Sequence, residues 1–144
     1  MDQDGAIRLR RVIGKIARQL NSSSTGAGLT PSQASVLGLI VARGPISLAE
    51  LASLEGLNPT MLSRVIGRLQ ELELISRTPD PADLRSASVA STPAGQQVDQ
   101  QIKARRAAAV AKNLELLTAD QVHALTEALP ALEALAEAMR QPSS

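Results

Sequence analysis

Apolar residues recur at helical spacing along most of this chain, and the breaks in that rhythm divide it into segments. Leu9, Ile13, Ile16 and Leu20 stand three or four residues apart and predict a helix over 4–21, closed by Asn-Ser-Ser-Ser-Thr-Gly at 21–26. Val36, Leu37, Ile40 and Val41 predict a second helix over 31–43, stopped by Gly44-Pro45. Two shorter amphipathic helices follow within 48–72. The period then changes. Leu74–Thr78 is a short alternating run and Ser86–Ser91 a weaker one, with the strand breakers Pro79, Asp80, Pro81, Ala82 and Asp83 between them. Thr92-Pro93 opens a long helix expected to run to about Leu117, with Val98, Ile102, Ala109, Val110, Leu114 and Leu117 inward. Thr118 and Gln121 form a capping box for a last helix. There Val122, Leu125, Leu129, Leu132, Ala136 and Met139 keep a heptad-like spacing, and Pro130 is expected to kink or divide it.

Residues 48–69, LAELASLEGLNPTMLSRVIGRL, carry the strongest functional signal. They read as two helices around a glycine turn. The small Ala52 lets the helices cross closely, and Gly56 can take a positive φ without a Cβ clash. Leu62 and Val65 share one face and pack back on the first helix. Asn58 and Pro59 suit the N-cap and N1 positions of the second. On that second helix, 58–72, Leu62, Val65, Ile66, Leu69 and Leu72 form one apolar stripe. Thr60, Ser63, Arg64, Gly67 and Arg68 lie opposite. Side chains near the start of such a helix reach base edges in the major groove, and an arginine fork pairs bidentately with guanine. Thr60, Ser63 and Arg64 are therefore the candidate readers. Arg68 on the same face, Ser47 before the first helix, and Asn58 and Pro59 at the start of the second complete the helix-borne candidates. An ordinary surface helix with a few arginines is the alternative, and the segment that follows weighs against it.

That segment, 74–95, reads as a β-hairpin, the wing of a winged helix-turn-helix. Arg77 lies on its first strand, and Arg85 sits just past the expected tip. A lone arginine on a projecting loop suits the narrow, electronegative minor groove of A·T-rich DNA. Asp83, two residues earlier, is placed to hold that guanidinium. By itself the pair would be a solvated ion pair worth little; after a helix-turn-helix it is a candidate DNA contact.

With these residues the chain resembles the MarR-type transcription regulators over almost its whole length. The resemblance rests on the helix order, on Leu29-Thr30-Pro31-Ser32-Gln33, and on Ile46-Ser47-Leu48-Ala49-Glu50-Leu51-Ala52. It rests also on Arg77-x-x-Asp80-x-x-Asp83-x-Arg85 and on Val89-x-x-Thr92-x-x-Gly95 leading into a long helix. Two positions depart from the family pattern. Ser91 stands where the family has a leucine, and Asp80-Pro81-Ala82-Asp83 lacks one wing arginine, which implies a weaker wing contact. The resemblance implies an obligate homodimer that binds a palindromic operator and is often released by a small effector. In the family the effector lies between the dimer helices and the reading domain; here that pocket would be lined by aliphatic groups.

Composition narrows the function classes. The 144 residues make one domain's worth of chain, long enough to bury a real core. Phe, Trp and Tyr are absent, so the core must be built from Leu, Val, Ile and Ala, and base-stacking RNA readers are disfavoured. Without cysteine, and with His123 as the one histidine, neither an ordinary zinc site nor a thiol switch is expected, and His123 reads as a surface residue. No phosphate-binding glycine loop, GxSxG, HExxH or paired carboxylates on an apolar face are visible, so no catalytic residues and no cofactor are expected. The absence of a signal peptide and of an 18-residue apolar run predicts a cytoplasmic location without a membrane partner.

Net charge is only +1, but it is unevenly spread. Residues 1–25 hold five cations against two acids, and 118–144 hold four acids against one arginine, whereas 43–85 is near neutral. A favourable field at DNA must come from placement rather than excess. The apolar faces of the terminal helices exceed what one small winged domain can cover, and intertwining with a second copy is their natural use, a compact monomeric bundle being the alternative. The expected architecture is mostly α with a small β-hairpin wing. It comprises a winged helix-turn-helix over 30–92 and dimerisation helices over 1–25 and 93–144, all within one domain. The expected function is a homodimeric transcription regulator of double-stranded DNA, a repressor rather than an activator, released by a small-molecule effector. A winged module for protein–protein contact, its DNA face lost, is the alternative.

Overall fold

The computed structural model describes residues 1–22, 27–79 and 87–140. Its elements run α1 (Gln3–Ser22), α2 (Pro31–Arg43), β1 (Ile46–Ser47), α3 (Leu48–Glu55), α4 (Pro59–Glu71), β2 (Ile75–Thr78), β3 (Ser88–Ser91), α5 (Pro93–Leu114) and α6 (Ala119–Arg140). The molecule is mostly α with one small three-stranded antiparallel sheet, ordered β1-β3-β2. Two compact units divide the chain, Met1–Arg106 and Ala107–Ser144.

Within the first unit the core is aliphatic throughout. Val36, Leu37 and Ile40 of α2 meet Leu51 of α3 and Leu62, Ile66 and Leu69 of α4, with Ile46, Ile75 and Val89 from the sheet and Ile102 from α5. Leu, Ile and Val, with the small Ala34, replace the missing rings by interdigitation. Removing any one of them would leave a cavity. α2 starts with a complete capping box: Thr30 Oγ1 accepts from the Gln33 amide at 3.2 Å, and the Thr30 amide donates to Gln33 Oε1 at 3.0 Å. β3 is central, pairing Val89 with both Ile46 and Arg77.

Asp99 is the one buried charged residue in the described core. Its Oδ2 lies 2.8 Å from Lys103 Nζ, one turn on, and the lysine stays mostly exposed. Oδ1 lies against Gly38 of α2, where a Cβ would meet it at 3.3 Å. Sequence spacing did not single this carboxylate out, because an i,i+4 acid–base pair on a helix usually marks a solvated face.

In the second unit, Thr118 and Gln121 make the expected capping box at the start of α6, at 3.0 and 3.1 Å. Three expectations need correction. The fifth helix ends at Leu114, and a turn leads to α6, with the Leu116 and Leu117 amides donating to Asn113 and Leu114. Val110 and Leu117, expected inward, are both 39% exposed in the single chain. Pro130 does not divide the last helix, which runs unbroken from Ala119 to Arg140. Proline removes one backbone donor but its fixed φ is helical, and the Ala-, Leu- and Glu-rich flanks are strong helix formers.

Candidate nucleic-acid interface

The helix-turn-helix forms as its residues require. Ser47, the last residue of β1, caps α3, its Oγ accepting from the Glu50 amide at 3.1 Å. Gly56 ends α3 in the left-handed region at φ 64°, its amide directed to the Ala52 carbonyl, and the Leu57 amide donates to the same oxygen at 3.2 Å. Asn58 caps α4, Oδ1 accepting from the Met61 amide at 2.9 Å, and Pro59 occupies the first turn. These caps satisfy amides that a helix start otherwise leaves open, each worth about 1 kcal/mol. Leu62 is buried, and Val65 packs partly buried against the same core.

The opposite side of α4 is left to solvent. Thr60, Ser63, Arg64 and Arg68 are all exposed, and Arg68 Nη1 reaches Glu71 Oε2 at 3.3 Å. A Cβ built on Gly67 meets nothing within 4 Å, so no packing within the fold demands a glycine there. A groove of about 730 Å³ runs along this helix. It is lined by Leu48, Ala49 and Ala52 of α3, by Pro59, Leu62, Ser63, Ile66, Gly67 and Gln70 of α4, and by Arg77 of β2.

The structure thus brings Pro59, Ser63 and Arg77 to one groove, beside the α3 start that Ser47 caps. Arg64 and Arg68 are not among the groove residues. Asp83 and Arg85 lie outside the described residues. Gln70 and Ala49 were missed by sequence reasoning. Gln70 stands seven residues after Ser63, hence on the same flank of α4, a spacing that was available in the sequence. Arg77 pairs in register with Val89 of β3, which fixes its place on the sheet.

The sequence profile of the MarR family matches residues 29–87, from the start of α2 to the foot of β3. The HTH-type transcriptional repressor MdtR of Bacillus subtilis is 27% identical over 119 residues, covering 83% of this chain and 77% of that protein. The crystal structure of RV1404 from Mycobacterium tuberculosis is 30% identical and superposes with a TM-score of 0.72, covering 98% of this chain and 93% of that one. The chain belongs to the MarR family. The transcriptional regulator Tm0710 of Thermotoga maritima, 25% identical, is similar over 99% of this chain and 100% of its own, with a TM-score of 0.73. As a MarR family protein the chain is a winged helix-turn-helix transcriptional regulator, a class that acts through DNA and is not enzymatic. No helix among the described residues is long and apolar enough to cross a membrane.

Proposed function

We propose that this protein represses transcription as a homodimer on a palindromic operator, each copy laying α4 in the major groove of one half-site, and that a small-molecule effector releases it. The observation that carries the reading is the outer face of α4. It is polar, partly basic and open along its length, on a helix whose inner face is locked by Leu62, Ile66 and Leu69. Thr60, Ser63 and Arg64 are the base readers in this proposal. Arg68, Ser47 and the start of α4 at Asn58 and Pro59 contact backbone. Arg77 and Arg85 engage the adjacent backbone and minor groove, and Asp83 holds the Arg85 guanidinium in this proposal.

Residues 30–92 form the reading part, and residues 1–25 and 93–144 hold the dimer. Support for the dimer comes from apolar side chains left open in one copy. On α1, Ile13 and Ile16 are 43% and 54% exposed, and on α6 Leu125, Leu129 and Met139 are 45%, 50% and 78% exposed. Monomeric proteins rarely leave such stripes uncovered. A twofold dimer presents two equivalent α4 helices, which implies a palindromic site with half-sites about one DNA turn apart. Repression is supported by the name of MdtR, and effector release follows the family habit.

The test is a gel shift on the upstream region of the protein's own gene, with competitor DNA present. A specific complex that loses tightness when either half-site is scrambled is the expected result. If even low salt gives no specific complex, the alternative of a protein–protein module replaces this reading.

A further inference from the structure

α4 carries one feature that neither its polar face nor its core stripe accounts for. Met61 is the single large apolar side chain of the helix that is exposed, at 48%. It is the third residue of α4, and its amide is held by Asn58 Oδ1, so its backbone is fixed where readers of the major groove are placed. At about 100° per residue it sits about 70° from the pole opposite Leu62, Ile66 and Leu69. Ser63 lies about 90° from that pole on the other flank. Arg64 and Arg68 follow it at i+3 and i+7, on its own side of the helix. Met61 is therefore no further from the outward pole than Ser63.

We propose that Met61 is a specificity-determining residue that recognises a thymine through its 5-methyl group. This rests on the reading of α4 as the DNA-reading helix. Thymine is the one base that offers an apolar group in the major groove. Methionine suits that contact, because its unbranched, polarisable chain follows the methyl without demanding one rotamer. Arg64, one turn on, reads a neighbouring position, so Met61 adds apolar discrimination beside a polar one.

The experiment starts from a duplex enriched by the full-length protein from a random pool. Each thymine of that duplex is then replaced singly by deoxyuridine, which lacks only the methyl group. Wild type is expected to lose about fourfold in affinity at one position per half-site, the worth of one buried methyl. Met61→Ala, an exposed change to a better helix former, removes the contact from both half-sites and is expected to bind the unmodified duplex roughly fifteenfold more weakly, with no further loss at that deoxyuridine. Met61→Leu is expected to keep the penalty. The proposal is overturned if no deoxyuridine affects wild type, or if the Ala variant suffers the same penalty as wild type. A pool that enriches no sequence at all overturns the DNA-reading assignment of α4, a distinct failure that takes Met61 with it.

Discussion

The Thr92 hydroxyl donates to the Glu73 carbonyl at 2.7 Å, tying the residue before α5 to the residue that ends α4 in the left-handed region, at φ 60°. Around this bond the Glu73 amide donates to Gln70 and the Leu74 amide to Leu69, the 5→2 and 6→1 pair of a Schellman motif. Thr92 Oγ1 also accepts from the Gly95 amide at 3.0 Å, so one hydroxyl caps α5 and closes α4. Glutamate at such a site carries a Cβ strain that glycine lacks. Glu73→Gly is expected to stabilise the fold by about 0.5–1 kcal/mol, and Thr92→Val to destabilise it by about 1–2 kcal/mol. Urea midpoints at constant slope check both.

Two glycines make a matched pair of tests. At Gly95 an added Cβ would overlap the Leu74 carbonyl oxygen, and at Gly67 it would enter open space. Gly95→Ala is expected to cost about 1–3 kcal/mol, because the obstacle is backbone. Gly67→Ala is expected to gain about 0.5–1 kcal/mol through helix propensity. Operator affinity in the Gly67 variant is expected to fall, since the new methyl stands on the face turned to DNA. A variant both more stable and equally tight would show that α4 is not approached closely at Gly67.

The buried Asp99 depends on Lys103 more than the lysine depends on it. Lys103→Met strands a carboxylate that is 6% exposed and is expected to cost about 1–3 kcal/mol. Asp99→Asn keeps the shape next to Gly38, removes the charge, and is expected to cost under about 1 kcal/mol. Thermal or urea unfolding of the two variants gives the order directly, and the reverse order would show that the ion pair is incidental.

Arg64→Ala is expected to leave stability within about 0.5 kcal/mol, as the side chain is exposed. It is expected to weaken discrimination at one base step per half-site by about 1–3 kcal/mol. The check is a panel of operator variants titrated at fixed salt. An unchanged order of preference would remove Arg64 from the readers.

Removing residues 118–144 strips Val122, Leu125, Leu129, Leu132 and Met139 together. Burial of each such side chain contributes about 1.5–3 kcal/mol. Full-length protein is expected to sediment as a dimer at micromolar concentration, and the shortened chain to be monomeric or unfolded. A shortened chain that stays dimeric and binds a two-half-site operator as before would place the interface elsewhere.

Local chemistry alone settles a large part of this protein. The Gly56, Asn58 and Thr118 signals are read within four residues of themselves, and each becomes the turn or cap that its local chemistry dictates. The aliphatic stripe of α4, and with it the outward side of Thr60, Ser63 and Arg64, follows from helical periodicity in the same way. What tertiary structure decides lies between segments far apart in the chain. β1 is two residues long, too short for any alternation to show, and exists because Val89 and Ser88, some forty residues on, pair with it. Asp99 is buried because Gly38 leaves room beside it, a fact no spacing within α5 contains. The groove along α4 likewise needs Leu48, Gln70 and Arg77 to come together from two helices and a strand. Caps and stripes are written in neighbouring residues; pairings and cavities depend on which distant backbones the core draws into contact.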